Sequence, residues 1–559
     1  MTLCLHYARP ASGQGEGEVF GLDVAVNTLL SAWFRYGTAE QFICRPTDLP
    51  SFEHFKALAA AAGHNPEERC VGLDPRHPRH NLESISCLFR PDPLIADLAW
   101  TRQQLQGVGY ATCGIVHTMS GERIARAVGE LCLAPTDRAD ALVCPSEAIR
   151  NTVHNLWEVY GDYLKHRFGN AAFQCPVQTR VIPLGVDTEK FRRLTTKDKR
   201  AAQRQALQAA PDEIILLFVG RLSFATKAHP LALWQAAERA ASRTQRKLRV
   251  VMYGYFKPKD MEKHFRELAA DIGKTANIEF IMNDDTRFPD GLWAGADLFA
   301  SLSDNVQESF GLTPIEAMAS GLPTILSDWD GYRGSIRHGV DGYLIPTVTP
   351  PASAGLAIAE AYYNENNYGI GLMGAAQSTA VDIEACATAI EHLITDDAKR
   401  RAFGMNGRAR AEQVFDWRHI IKAYEDFWQE LAQQRLTRTA KSAVPKNWSA
   451  VHPSYINPWK MFDSFPNRAL RPDERIQIVL SKDEIANLIR HEMNFFIPEL
   501  LMPKESMRDL IEAIRNAGAP PISAVLASIP APEHNRIWRC LGWMLKHGVA
   551  VIANPSETR

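Results

Sequence analysis

Two carboxylates in one short stretch, Glu308 and Glu316, are spaced so that both could bind a single ligand. An ionised carboxylate accepts several hydrogen bonds and therefore suits neighbouring hydroxyl groups. The apolar run at residues 298–302 predicts a buried strand before them. Thr313 is predicted as the N-cap of a helix with Pro314 in its first turn, which would place Glu316 on that turn. The N–H groups of a helix N-terminus attract phosphate. An ordinary strand–helix junction with two surface glutamates is the alternative.

A second set of candidate groups follows an apolar run at residues 214–219. Arg221 comes directly after that predicted strand, and Lys227 follows after a short loop. Two cations that follow a strand end and are separated by a flexible loop can hold a diphosphate from two sides. His117 ends another predicted strand, and ligands of open α/β sheets bind at that edge. A purely structural role for this histidine is equally compatible with the sequence.

Three glycines, Gly13, Gly15 and Gly17, lie between the first predicted strand and the first predicted helix. Glycine lets the backbone approach a ligand closely. Their spacing differs from the dinucleotide-binding fingerprint, so a plain turn is the alternative to a ligand-binding loop.

Apolar runs followed by turn residues and helical patterns recur along the chain. Further strands are predicted at residues 3–7, 41–44, 86–89, 112–116, 141–144, 248–253, 278–282 and 324–327, and a strand followed by a turn is predicted at residues 181–187. Strands that alternate with helices predict parallel sheets covered on both faces. The sequence therefore predicts an α/β chain with two Rossmann-like, doubly wound domains that face one another across a ligand cleft.

The composition shifts divide the chain into three parts. Residues 1–195 are predicted to form the first domain and residues 196–435 the second domain with its closing helices. Residues 436–559 are predicted to be a linker rich in Pro, Asn and Ser, followed by a small, mostly helical module. Residues 481–484 form a capping box. Three helices and a terminal strand at residues 549–552 resemble a winged-helix module.

The composition argues against several functional classes. The chain is 46% hydrophobic and 23% charged with a net charge of −2, and it lacks the basic excess that nucleic-acid binding requires. No apolar run is long enough for a membrane span, and no secretory signal is recognisable. The ten cysteines lack metal-type spacing, which predicts reduced thiols in a cytoplasmic protein. Asp328 and Asp330 form a bare DxD that we interpret as chance, so neither a metal site nor a cofactor is predicted.

Taken in order, the motifs resemble those of the retaining nucleotide-sugar glycosyltransferases of family four, which have the GT-B fold. The family signature E-x-F-G-x-x-x-x-E-A-M-A-x-G-x-P is matched by residues 308–323. The family's G-R-L followed by lysine resembles residues 220–227, and its IPNGVD segment resembles residues 182–187. The resemblance covers about residues 3–431.

The resemblance implies transfer of a sugar from a nucleoside diphosphate sugar to a hydroxyl acceptor, without metal or other cofactor. The first domain would take the acceptor and the second domain the donor. Glu308 would bind sugar hydroxyls, and Glu316 would bind ribose hydroxyls. The implied catalytic or donor-binding residues are His117, Arg221, Lys227, Glu308, Ser309, Phe310, Gly311, Leu312 and Glu316, together with Gly13, Gly15 and Gly17. Two departures from the family pattern are Ala228 in place of glycine and Gly334 in place of glutamate.

Two other functions remain open at this stage: a nucleotide-sugar epimerase of the same fold, and a non-catalytic protein that binds sugar nucleotides as a scaffold. The acceptor class is also open among glycans, lipid-linked compounds and small molecules. The C-terminal module is open to homo-oligomer or partner contacts, and a peripheral membrane contact is left open as well.

Overall fold

A computed structural model of the chain describes residues 1–9, 21–74, 82–105, 109–169, 174–365, 367–437, 448 and 450–553. The chain divides into two compact units, residues 1–452 and residues 453–559. The larger unit contains two parallel sheets, and the smaller unit is mostly helical.

The first sheet of the larger unit has seven parallel strands in the order β3-β2-β1-β4-β5-β6-β7. These strands are β1 Leu3–Tyr7, β2 Phe42–Pro46, β3 Cys70–Gly72, β4 Cys87–Arg90, β5 Ala111–Ile115, β6 Ala141–Cys144 and β7 Gln178–Val181.

The second sheet has six parallel strands in the order β10-β9-β8-β11-β12-β13. These strands are β8 Ile214–Leu222, β9 Leu248–Phe256, β10 Asn277–Met282, β11 Leu298–Ser301, β12 Thr324–Ser327 and β13 Gly342–Ile345. Two short strands, β14 Thr347–Val348 and β15 Ala380–Val381, form a separate antiparallel pair.

Helices connect these strands and cover the sheets. The helices that precede the second sheet are α1 Gly21–Tyr36, α2 Leu49–Ala61, α3 Pro66–Arg69, α4 Ala96–Arg102, α5 Glu122–Glu130, α6 Glu147–Phe168, α7 Thr188–Leu194 and α8 Lys197–Ala206. The later helices of this unit are α9 Leu231–Thr244, α10 Met261–Ile272, α11 Leu312–Ala319, α12 Tyr332–Ser335, α13 Leu356–Glu365, α14 Tyr368–Ala376, α15 Ile383–Thr395, α16 Asp397–Arg410 and α17 Trp417–Leu436. A π-helical turn at Ala411–Phe415 separates the last two.

Both sheets have a hydrophobic core on each face. Strand β6 and the first half of β8 are therefore buried residue after residue, as expected for parallel strands covered by helices on both sides. This arrangement confirms the predicted fold class of two Rossmann-like, doubly wound domains. Strands β3 and β13 were not predicted, because one is three residues long and the other contains glycine and a half-exposed tyrosine.

Helix α17 packs with the first domain although it follows the second in sequence. Its buried residues, including Trp417, Tyr424 and Trp428, belong to the core on one face of the first sheet. The Trp428 ring lies 4.8 Å from that of Phe89 in β4. The sequence prediction assigned residues up to 435 to the second domain, because helical periodicity shows which face is apolar but not which sheet it covers.

The smaller unit is built around its own hydrophobic core. Strand β16, Ala450–His452, ends the larger unit. The strands of the smaller unit are β17 Tyr455–Ile456, β18 Ile476–Ile478 and β19 Ala550–Ile552, and β18 pairs antiparallel with β19. Its helices are α18 Pro458–Met461, α19 Lys482–Arg490, α20 Lys504–Asn516, α21 Ile522–Ala527 and α22 His534–Lys546. Ser481 and Glu484 form the predicted capping box of α19. In the described part of the chain, no helix is long and apolar enough to cross a membrane.

Candidate active site

The predicted cations and the first predicted carboxylate come together at the carboxyl end of the second sheet. Arg221 lies near the end of β8, and Lys227 lies in the loop that follows it. The Lys227 ammonium forms an ion pair with the carboxylate of Glu308, which comes from the loop between β11 and α11. The two side chains are only 21% and 10% exposed. The strand order of the sheet explains why Lys227 and Glu308 are in contact, because β8 and β11 are neighbours and the loops that follow them lie at the same edge.

Glu308 is held in its ionised form. Burial by itself would raise the pKa of this carboxyl, but the Lys227 ammonium and nearby hydrogen bonds hold it below its usual value. The Tyr332 hydroxyl lies 3.4 Å from Glu308 Oε2 and 2.8 Å from the buried Ser301 hydroxyl. An ionised Glu308 can accept hydrogen bonds from hydroxyl groups of a ligand.

Arg221 is fixed by the same loops. Its Nη2 donates to the carbonyl oxygen of Thr226 at 3.0 Å and to Oε1 of Gln307 at 3.2 Å. Its Nε is shielded from solvent and has no hydrogen-bond partner among the described residues. The guanidinium therefore keeps an unused donor close to the Lys227–Glu308 pair, which suits an anionic ligand.

The loop before α11 depends on a glycine. Gly311 has a φ of +89° and is the N-cap residue, so α11 begins at Leu312. A Cβ at Gly311 would lie 2.2 Å from Cε1 of Tyr332. The prediction of Thr313 as N-cap was wrong: its hydroxyl is buried with no hydrogen-bond partner among the described residues. The chain turns two residues earlier because only glycine fits there. Consequently Glu316 does not lie on the first helical turn.

The remaining residues of this loop have different environments. The carbonyl oxygen of Ser309 accepts a hydrogen bond of 2.9 Å from the hydroxyl of Ser146, the N-cap of α6 in the first domain. The Phe310 side chain is buried in the core of the second domain. A role in phosphate binding can therefore come from its backbone N–H, as the family resemblance implies.

Glu316 lines a cavity of about 220 Å³ that also contains residues of the first domain. The walls include Thr28 and Ser31 of α1 and Lys190 of α7. Burial raises the pKa of Glu316 to about 7, and the Lys190 charge offsets this only in part. Glu308 is not among the residues that line this cavity, so the two glutamates of the motif face different surroundings.

His117 lies two residues beyond the end of β5. Its Nε2 forms a hydrogen bond of 3.0 Å with the carbonyl oxygen of Pro91 in the same domain. Burial lowers the pKa of His117 to about 4, so the ring is neutral at neutral pH. Gly13, Gly15 and Gly17 lie outside the described residues.

Several polar residues near Glu308 were not predicted as site residues. Asp304 follows β11, and its carboxylate accepts hydrogen bonds of 3.3 Å from the backbone N–H of His229. Burial raises the pKa of Asp304 to about 7. Asp330 lies in the loop after β12, and Tyr332 is the first residue of α12. The DxD pattern was the available signal for Asp330. Among the described residues, no group of three or more His, Cys, Asp or Glu side chains could hold a metal ion.

The site lies inside a segment that matches a known family. Residues 199–368 match the family model described as "Glycosyl transferases group 1". The chain carries a glycosyl transferase group 1 domain. Arg221, Lys227, Glu308 and Glu316 all lie within this domain, whereas His117 lies outside it. The match confirms the family resemblance on which the sequence prediction was based.

Curated relatives extend the comparison of this glycosyl transferase domain. A D-inositol 3-phosphate glycosyltransferase of Geodermatophilus obscurus is 32% identical over 174 residues, which is 30% of this chain and 37% of that protein. A protein of the same description from Kineococcus radiotolerans is 26% identical over 465 residues, covering 77% of this chain and 94% of that protein. The chain thus spans little more than a third of the first of these relatives, and most of the second.

The similarity in fold covers more of the chain than the match to the family model. The crystal structure of a glycosyltransferase from Rickettsia africae has a TM-score of 0.50 at 13% identity and covers 78% of this chain and 99% of that chain. This likeness concerns the fold alone. Together with the two doubly wound sheets, it identifies the GT-B arrangement that the sequence resemblance implied.

Proposed function

We propose that the chain transfers a sugar from a nucleoside diphosphate sugar to a hydroxyl group of an acceptor, with retention of anomeric configuration. The observation that carries this proposal is the buried Lys227–Glu308 pair next to Arg221, inside the segment that matches the glycosyl transferase family. Cations and an ionised carboxylate at one strand edge suit a ligand that is anionic at one end and polyhydroxylated at the other.

The two cations supply the main electrostatic contribution. Arg221 and Lys227 would bind the diphosphate and stabilise the charge that develops on it as the sugar–oxygen bond breaks. Glu308 would accept hydrogen bonds from sugar hydroxyls and hold Lys227 in position. In this proposal no metal and no further cofactor takes part.

Glu316 is assigned to the nucleoside. Its carboxylate borders a cavity of about 220 Å³ and can accept hydrogen bonds from the two ribose hydroxyls. The free N–H groups at the start of α11, including that of Leu312, would face the phosphates.

Acceptor attack would occur on the same face from which the diphosphate leaves. An oxygen of the leaving phosphate would take the acceptor proton, so no covalent sugar–enzyme intermediate is needed. His117 is neutral at neutral pH and would orient the sugar through a hydrogen bond.

The proposal is tested by binding and turnover together. We would first screen UDP-, GDP-, ADP- and dTDP-sugars by thermal shift, because a ligand that binds the folded state raises the apparent stability. Transfer would then be measured on an acceptor panel that includes D-inositol 3-phosphate, the compound in the names of the relatives. An epimerised sugar nucleotide would favour an epimerase, and binding without turnover would favour a scaffold.

Variants of the three central residues provide the sharper test. We expect Arg221→Ala, Lys227→Ala and Glu308→Ala each to lower transfer at least about tenfold, a loss of about 1.4 kcal/mol or more of transition-state stabilisation. Lys199→Ala is the matched control, because Lys199 also forms a lysine–carboxylate pair but is 43% exposed. Near wild-type turnover in all three variants would contradict the assignment.

A further inference from the structure

The loop between β12 and α12 packs directly against the Glu308 loop. A Cβ at Gly331 would lie 2.5 Å from the Ser309 carbonyl oxygen and 2.4 Å from the Phe310 Cα. The next residue, Tyr332, has its hydroxyl 3.4 Å from Glu308 Oε2. The residue before Gly331 is Asp330, which this packing places beside Glu308.

The other polar side chains of this loop have partners within the protein. Asp328 forms an ion pair of 2.8 Å with Arg333, and the Trp329 indole N–H donates to the Asn305 carbonyl oxygen at 3.1 Å. By contrast, Oδ1 of Asp330 is shielded from solvent and has no hydrogen-bond partner among the described residues. A buried polar atom without a partner is costly, and such an atom next to a ligand site points to a partner that the ligand supplies.

The backbone of Asp330 is also unusual. Its φ is +45°, a conformation that glycine adopts more readily than aspartate. An aspartate kept in a strained position beside a functional loop is consistent with a role for its side chain.

The carboxyl of Asp330 differs in charge state from that of Glu308. Burial, together with the negative charge of Glu308, raises the pKa of Asp330 to about 8, while a hydrogen bond from the Gly331 backbone N–H and the Arg333 charge act in the opposite direction. At neutral pH Asp330 is therefore mostly protonated and can donate a hydrogen bond, whereas Glu308 can only accept. Such a pair suits a sugar with two neighbouring free hydroxyl groups, since each hydroxyl both donates and accepts.

We propose that Asp330 binds the transferred sugar by a hydrogen bond to a hydroxyl group next to the one held by Glu308. This inference rests on the function proposed above and adds a residue that distinguishes donor sugars. Because Asp330 would contact the sugar and not the nucleotide, its removal should weaken binding of a nucleotide sugar while leaving binding of the free nucleoside diphosphate unchanged.

The test is isothermal titration calorimetry of the full chain with UDP-glucose, GDP-mannose, ADP-glucose and dTDP-glucose, each paired with its free nucleoside diphosphate. For the nucleotide sugar that the wild type binds, we expect Asp330→Ala to weaken binding about five- to tenfold, the scale of one hydrogen bond. The free diphosphate should bind within about twofold of wild type. Asp330→Asn should retain most of the affinity, because the amide also donates a hydrogen bond.

Asp330→Gly separates the side chain from the backbone. Glycine relieves the positive φ, so this variant should be at least as stable to heat as wild type while losing the same affinity for the nucleotide sugar as Asp330→Ala. Equal weakening of sugar nucleotide and free diphosphate, or no weakening of either, would overturn the role of Asp330 alone. A wild-type chain that binds neither class of compound would overturn the proposed function as well.

Discussion

Glu308 and Glu316 are both buried, but their pKa values are shifted in opposite directions. Lys227 is close enough to Glu308 to form an ion pair, and the pKa of Glu308 stays below its usual value. The charge of Lys190 offsets only part of the effect of burial on the pKa of Glu316, which rises to about 7. The same residue type is therefore ionised at one end of the motif and partly protonated at the other, because a partner in direct contact compensates for lost hydration.

Glu316 should make the ligand-free protein less stable as the pH rises. The folded state retains the proton up to about pH 7, whereas an unfolded glutamate loses it near its usual pKa of 4.5. The unfolded state thus binds fewer protons in this window, and the free energy of unfolding decreases with pH. Glu316→Gln removes this contribution, so we expect the variant to gain about 3 kcal/mol over wild type at about pH 8 and little at about pH 4.

Urea unfolding of both proteins at the two pH values measures this gain. Glu267→Gln is the control, because Glu267 is 60% exposed and should not change the difference between the two pH values. A gain for Glu316→Gln that is the same at both pH values would contradict the explanation. If Glu316 binds the ribose, the stabilised variant should also bind the donor more weakly, a common trade-off at functional sites.

The site is formed by two loops that pack against each other, the loop between β11 and α11 and the loop between β12 and α12. Gly311 before α11 lies against the ring of Tyr332, and Gly331 before α12 lies against the backbone of Ser309 and Phe310. Both loops emerge from neighbouring strands of the second sheet, β11 and β12. Since each loop fills the space left by a glycine in the other, the position of Glu308 depends on both.

Gly311→Ala should therefore disturb the whole arrangement. The new Cβ would lie 2.2 Å from Tyr332 Cε1 at a φ of +89°, so we expect a loss of about 2 kcal/mol or more in the free energy of unfolding. Gly334→Ala is the matched control, because a Cβ there meets nothing within 4 Å, and it should change stability by less than about 0.5 kcal/mol. Chemical denaturation compares the two, and equal stability of both variants would contradict the packing argument.

In the whole molecule, helix α17 links the two domains, because it follows the second domain in sequence and packs on the sheet of the first. The chain leaves the first domain after β7, builds the second domain, and returns to pack α17 on the first sheet. The GT-B body is therefore not two consecutive segments, and the first sheet has an incomplete core until α17 has been added.

Truncation tests this dependence. A chain that ends at residue 416 lacks α17, whose large buried side chains are Trp417, Ile420, Ile421, Tyr424, Phe427, Trp428 and Leu431. Each contributes about 1.5–3 kcal/mol by burial, so their sum is at least as large as the usual free energy of unfolding of a domain, about 5–15 kcal/mol. We expect the 1–416 fragment to lose the near-ultraviolet circular dichroism that the first domain contributes, while the second domain keeps its own packed cores. A 1–437 fragment should retain the contribution of the first domain, and identical spectra for both fragments would contradict the argument.

The sequence by itself determined the alternation of strands and helices, and with it the doubly wound sheets. Because parallel strands end at one edge, the sequence also predicts that Arg221, Lys227 and Glu308 lie at the same site. Residue types alone were sufficient to predict an interaction whose two partners are close in sequence, such as the capping box of Ser481 and Glu484.

The tertiary structure alone decided the features that depend on contacts between distant segments. Thr313 has the right residue type for an N-cap, but the close approach of Tyr332 makes Gly311 the point where α11 starts. The apolar face of α17 was evident from its periodicity, yet only packing assigned it to the first sheet. Asp330 was set aside as a chance motif until the folded loop placed it beside Glu308, since periodicity and local propensity contain no information on which loops will meet.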